Sequence, residues 1–242
     1  MVARRYVRSV LLAIVSGVGA GVLVAGAGGR LAMRLLAATA GDGAQGRLTE
    51  ADERIGEIST GGTIGFVLFT AIFFGVLGGT AFMVLRRWLP PGRVGGMVYG
   101  LLLLVVLAPA LDPLRRGNPD FDLVGPGWLA LLVFGALTVA YGMAVAAIAA
   151  RYSQWLPTLS TSPRAVIGHA PLLLFVPAFV AAVPVLLVGI VVVGLAGVPA
   201  VADRLQRPAA MVIGRAVLIV VAAVALPRFV ATVVDIAGRG PA

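Results

Sequence analysis

Leu172–Val201 reads LLLFVPAFVAAVPVLLVGIVVVGLAGVPAV, thirty residues without a single charge. A helix crosses the hydrocarbon core of a bilayer with roughly 20 consecutive apolar residues. A soluble domain has no use for an uncharged run of this length. The rest of the chain agrees. Of its 242 residues 60% are hydrophobic and 12% charged, against about 25% charged in an average soluble domain, and the mean hydropathy is +1.04. Because lipid offers no hydrogen-bond partner, a spanning backbone must satisfy itself as a helix or a closed barrel. The alternating ten-residue pattern of a barrel is absent from the sequence. The expected fold is therefore all-α, one polytopic transmembrane bundle over residues 1–242.

Working outward from that run, the hydropathy pattern predicts six spans. They cover about Val10–Gly29 (extending toward Ala40), Ile64–Leu85, Val94–Leu111, Trp128–Ala150, Pro171–Leu195 and Ala209–Ile236. Met1–Ala27 has the basic start and apolar middle of a signal peptide. Four glycines between Gly17 and Gly26, and an apolar pattern that resumes after Arg30, point instead to a retained first helix.

The net charge of +9 comes from 19 arginines and no lysine. A pI near 11.4 would point to nucleic acid in a soluble protein. Here most arginines flank apolar spans, where they meet anionic headgroups and fix orientation, so no nucleic-acid partner is expected. Arg4, Arg5 and Arg8 place the N-terminus in the cytoplasm of a bacterial inner membrane. Six spans then put the C-terminus there too. The acids concentrate on the opposite side, in the charged outer loop 41–63 (Asp42, Glu50, Asp52, Glu53, Glu57) and again at Asp112, Asp120, Asp122 and Asp203.

Within the spans the glycines are spaced for helix contact: Gly17 and Gly21, Gly75 and Gly79, and Gly92, Gly96 and Gly100. Small residues four apart let two backbones approach closely where no hydrophobic drive exists between helices. They would serve packing inside the bundle first and a homo-oligomer second. A parallel repeat offset by 60 residues is faintly visible, with Phe74-Gly75 and Met83 answered by Phe134-Gly135 and Met143.

Charged residues near or inside the membrane are candidate sites by default. Arg30 and Arg34 share one helix face where the first span leaves the hydrocarbon. They would either hold an anion or headgroup, or snorkel and pair with Glu50, Glu53 or Glu57. Arg215 and Arg228 lie inside the last span. Pro227 frees a backbone carbonyl there, and that carbonyl or Asp235 would hold Arg228. The candidate anion, lipid or ion-pair site is therefore Arg30, Arg34, Glu57, Arg215 and Arg228. Pro177 and Pro184 interrupt the fifth span, as in the broken helices of transporters. Asn118, Asp120 and Asp122 have part of the spacing of a calcium loop. The missing Glu and Gly make a simple turn the better reading. His169 is the only histidine. Cysteine is absent, so disulfides and thiol catalysis are excluded. The sequence carries no Ser-His-Asp set, no HExxH and no mid-span carboxylate pair, so no catalytic residue, cofactor or metal is assigned.

Several segments together resemble an uncharacterised family of actinobacterial multi-pass membrane proteins. They are Gly29-Arg30-Leu31-Ala32-Met33-Arg34, Gly46-Arg47-Leu48-Thr49, Gly56 to Thr63, Gly78-Gly79, Arg87-Trp88-Leu89-Pro90 and Asp120-Phe121-Asp122. The likeness covers about residues 10–150. It implies the membrane class and a purposeful outer loop, but no activity and no catalytic residue.

Three functional classes follow. A non-catalytic membrane protein binding a partner or lipid leads. A small transporter for an anionic or amphiphilic substrate comes second, and a lipid-modifying enzyme third.

Overall fold

The structure, a computed structural model, describes residues 2–155 and 208–240. The expected fifth span, with Pro177, Pro184 and His169, lies outside the described residues. The remainder is helical. α1 (Val2–Ala20) continues through a π-helical stretch, Gly21–Gly28, into α2 (Gly29–Thr39). α3 (Thr60–Phe69) passes through a second π-helical stretch, Thr70–Phe74, into α4 (Gly75–Leu85). α5 (Gly92–Leu107), α6 (Gly127–Trp155) and α7 (Pro208–Ala237) complete the set.

Among the described residues four helical runs are long and apolar enough to cross a membrane: Arg8–Thr39, Thr60–Leu85, Gly127–Gln154 and Pro208–Ala237. α5 is a shorter apolar helix of 16 residues, about 24 Å at 1.5 Å per residue.

The sequence explains where these elements start. Ser59 caps α3, its Oγ accepting the Gly62 amide at 3.0 Å, which satisfies one of the free donors of a first turn. Pro90-Pro91 ends the preceding segment. Gly92 then opens α5 at φ +69°, a conformation open to glycine. Pro208 sits in the first turn of α7, where its missing N–H costs nothing.

Two glycine contacts set the packing. Gly17 on α1 meets Gly75 and Gly79 on α4 backbone to backbone. A Cβ on Gly17 would fall 2.8 Å from the Gly75 carbonyl carbon and 2.9 Å from the Gly79 Cα. Gly96 and Gly100 on α5 lie against Gly142 and Val139 on α6 in the same manner. Of the expected glycines Gly17, Gly75, Gly79, Gly96 and Gly100 are thus used inside the bundle, whereas Gly92 has open space where a Cβ would lie. The paired positions of the 60-residue repeat differ in their surroundings. Gly75 is locked against α1, whereas a Cβ on Gly135 would meet only the Leu104 side chain at 3.7 Å. Met83 is buried and Met143 exposed.

Buried hydroxyls are aimed at backbone carbonyls. Tyr99 Oη donates to Gly78 O at 2.6 Å. Tyr141 Oη is placed to donate to Phe74 O at 3.2 Å or Gly75 O at 3.3 Å, where the second π-helical stretch ends. Such stretches loosen the regular bonding pattern, and a neighbouring side chain can take up what they free.

The bundle has two chemically different ends. At one end Arg8 Nη2 donates to Ser153 O, and Trp88, in the turn after α4, lies against Gly214 near the start of α7. At the other end lie residues 40–59, residues 108–126 and Arg239. The backbone N–H of Gly127 donates to Arg239 O at 2.9 Å. Val2 and Arg239 therefore stand at opposite ends of the bundle. The flanks of the intervening segment, at Gln154 and Pro208, share the Arg8 end, so α7 runs parallel to α5 and antiparallel to α6.

Candidate functional site

The first site is built where α2 faces α3. The Arg30 guanidinium carbon stands 4.9 Å from the Phe66 ring centroid, and a Cβ on Gly29 would touch the same ring at 3.2 Å. The missing side chain at Gly29 thus lets Phe66 sit beneath the cation, a favourable arrangement. Arg30 Nη2 reaches toward the first turn of α3, 3.3 Å from where a Gly62 Cβ would be. Glu53 Oε1 flanks the same glycine at 3.0 Å. The two do not come within the 4.0 Å of an ion pair. Arg30 Nε is buried without an acceptor. Arg34, one turn further along α2, is exposed.

Expected ion pairs are rearranged. Among the described residues neither Arg30 nor Arg34 pairs with Glu50, Glu53 or Glu57. Glu50 instead binds Arg115, which also holds Asp112 at 3.2 Å. Glu57 is exposed. Asp235 pairs with Arg239 at 3.3 Å rather than with Arg228, because one helical turn separates Asp235 from Arg239 while Arg228 lies two turns away. Arg215 and Arg228 both lie on exposed parts of α7. The candidate set therefore divides: Arg30 and Arg34 form one place, and Glu57, Arg215 and Arg228 do not join it.

The loops at this end are knitted together. The Glu50 amide donates to Asp120 Oδ1 at 2.8 Å, Asn118 Oδ1 accepts the Asp120 amide at 2.9 Å, and Arg239 donates to Asn118 O at 3.2 Å. Asn118 and Asp120 are thus engaged in the fold of the loop, as the turn reading expects. Partial burial lifts the Asp120 pKa above its ordinary value, opposed by the Glu50 amide bond and by Arg115 and helped by the charges of Glu50 and Asp112. The Asp112 and Glu50 hydrogen bonds raise the Arg115 pKa. These long-range partners are invisible in sequence, since 65 residues separate Arg115 from Glu50 and 121 separate Arg239 from Asn118.

The opposite end carries a group that sequence reading took only as orientation markers. Arg8 caps the last turn of α6 through Ser153 O. Arg87 Nε donates to Val84 O at 3.3 Å and its guanidinium lies 5.8 Å from the Trp88 ring. Arg86 adjoins both. Among the described residues every carboxylate belongs to the other end of the bundle.

No protein-family model matches the chain, and no curated protein and no solved structure matches it.

Proposed function

We propose that this protein is a non-catalytic resident of a bacterial cytoplasmic membrane that holds a phospholipid headgroup at Arg30 and Arg34. The observation that carries this reading is the Arg30 guanidinium. It is fixed over Phe66 and has a buried Nε without an acceptor and no carboxylate within ion-pair distance among the described residues. Four helices of membrane-spanning length and composition support the bilayer setting. A charge held at the hydrocarbon boundary needs a counter-charge, and a headgroup phosphate provides both charge and acceptors. Glu53, on the far flank of Gly62, suits the ammonium of a zwitterionic headgroup.

The same reading orients the molecule. The arginine end, free of described carboxylates, faces the cytoplasm by the positive-inside rule, and the knitted loops face outward with Arg239. In this reading the described residues make an odd number of crossings. α1–α2, α3–α4, α5, α6 and α7 account for five, with α5 the shortest.

The test is lipid retention. Wild-type protein and R30Q/R34Q are reconstituted in nanodiscs of phosphatidylethanolamine and phosphatidylglycerol, and retained lipid is counted by native mass spectrometry. A loss of about tenfold or more in the double variant is expected for charge-assisted hydrogen bonds. Unchanged retention by the folded variant would overturn the reading.

A second reading, a small transporter for an anionic or amphiphilic substrate, is favoured by the two π-helical stretches. They pack on each other next to Arg30, with Thr70 Oγ1 3.3 Å from where a Gly26 Cβ would be. Irregular helices of this kind recur at functional sites. Solute flux into liposomes carrying the pure protein would favour it.

A further inference from the structure

Outside the Arg30 niche, the most unbalanced feature of the molecule is the arginine end. Three guanidiniums lie at this end, from two different helix junctions. Arg8 comes from the first turns of α1, and Arg86 and Arg87 follow the last turn of α4. Arg8 and Arg87 are steadied by carbonyls at helix C-termini, Ser153 O on α6 and Val84 O on α4. Those carbonyls carry only a partial negative charge. The cluster therefore retains nearly its full positive charge, and no described carboxylate stands at this end to offset it.

The donors are also left over. Arg8 Nε is buried without a partner. Arg86 makes no hydrogen bond within the described residues, and part of its surface is open to the outside. The groups feel one another: partial burial, then the charges of Arg87 and Arg8, lower the Arg86 pKa. Three mutually repelling cations at the hydrocarbon boundary, with spare N–H groups and no acid among the described residues, call for an anion with several acceptor oxygens.

We propose that Arg8, Arg86 and Arg87 form a binding site for the phosphodiester of an anionic phospholipid in the leaflet at the arginine end. This site differs in chemistry from the Arg30 niche, where Glu53 stands beside the cation and favours a zwitterionic headgroup. Its three cations, with no acid beside them among the described residues, select net negative charge. Arg86 is the ligand freest to move onto the lipid. Arg8 and Arg87, already tied to helix ends, provide the fixed part of the site. Lipid bound there clamps the start of α1 to the ends of α4 and α6. The proposal stands on its own residues and does not depend on the Arg30 reading.

The experiment uses the full chain in nanodiscs of equal phosphatidylglycerol and phosphatidylethanolamine, with the retained lipids counted by native mass spectrometry. Wild type is expected to keep phosphatidylglycerol in preference to phosphatidylethanolamine. R86Q removes a ligand that caps nothing, so the fold is preserved; it should lower that preference about fivefold, the value of one arginine near an anionic surface. R8Q/R86Q/R87Q should lower it about a hundredfold on the same scale. The loop variant R47Q/R54Q should leave it unchanged. An unchanged preference in both R86Q and the triple variant would overturn the proposal. So would release of the retained lipid by millimolar glycerol phosphate, which would make the ligand a soluble phosphate.

Discussion

Gly17→Ala tests the packing that holds α1 against α4. The added methyl would lie 2.8 Å from the Gly75 carbonyl carbon and 2.9 Å from the Gly79 Cα. Carbon atoms in good contact stand about 3.5–4.0 Å apart. Both obstacles are backbone, so no rotamer change relieves the clash and the helices must part by about 1 Å. A gap of about 0.5–1 Å already forfeits a quarter to a half of each contact's attraction, and overpacking of this kind costs about 1–3 kcal/mol. Gly61→Ala is the matched control. It lies in α3 with open space around its Cβ and no positive φ, so alanine should be neutral or gain up to about 1 kcal/mol from helix propensity. Reversible unfolding of both variants in one detergent–lipid micelle gives the comparison. The expected gap is about 1–4 kcal/mol in favour of Gly61→Ala, combining those two effects. Equal stability of the two variants would refute the backbone contact between α1 and α4.

Two further outcomes are expected. Tyr141→Phe leaves the carbonyls at the end of the second π-helical stretch without their donor, and should cost about 1 kcal/mol in the same unfolding assay, near the value of a hydrogen bond between membrane helices. Asp120 should titrate above the ordinary aspartate value of 3.8, read from its carboxyl carbon shift by NMR. An acid with a raised folded pKa holds its proton longer in the folded state. Its contribution is therefore present at low pH and is lost as pH rises from 3.8 through the folded value. Asp120→Asn should remove that dependence.

Much of the helical plan was legible in the residues. The apolar spans after Ile64, Trp128 and Ala209 reappear as α3–α4, α6 and α7 within a few residues, because length and hydropathy are local properties. The glycine spacing was legible for the same reason: Gly75 and Gly79, or Gly96 and Gly100, share a face wherever the helix lies. The two π-helical stretches left no local mark, since which backbone loosens depends on what packs against it. Charge pairing was hidden as well. Glu50 is close in sequence to Arg47 and Arg54, yet Arg115 claims it across 65 residues. Proximity in the chain had favoured a partner for Arg30 among the loop acids, but the stack on Phe66 holds Arg30 toward the first turn of α3. Which end of the bundle the C-terminal residues meet was hidden too, because it depends on a contact distant in the chain. Arg239 reaching Asn118 and Asp122 is the contact that places them.

Because the chain has no cysteine, single cysteines can report its orientation against a silent background. Asp42→Cys, Gly117→Cys and Gly240→Cys lie at the loop end, and Gly92→Cys and Arg151→Cys at the arginine end. Sealed spheroplasts treated with a membrane-impermeant maleimide should label the first three, with the last two reacting only after lysis. Labelling of Gly240→Cys in company with Gly92→Cys, or of all five before lysis, would contradict a bilayer-spanning bundle whose arginine end faces the cytoplasm and whose knitted loops face outward.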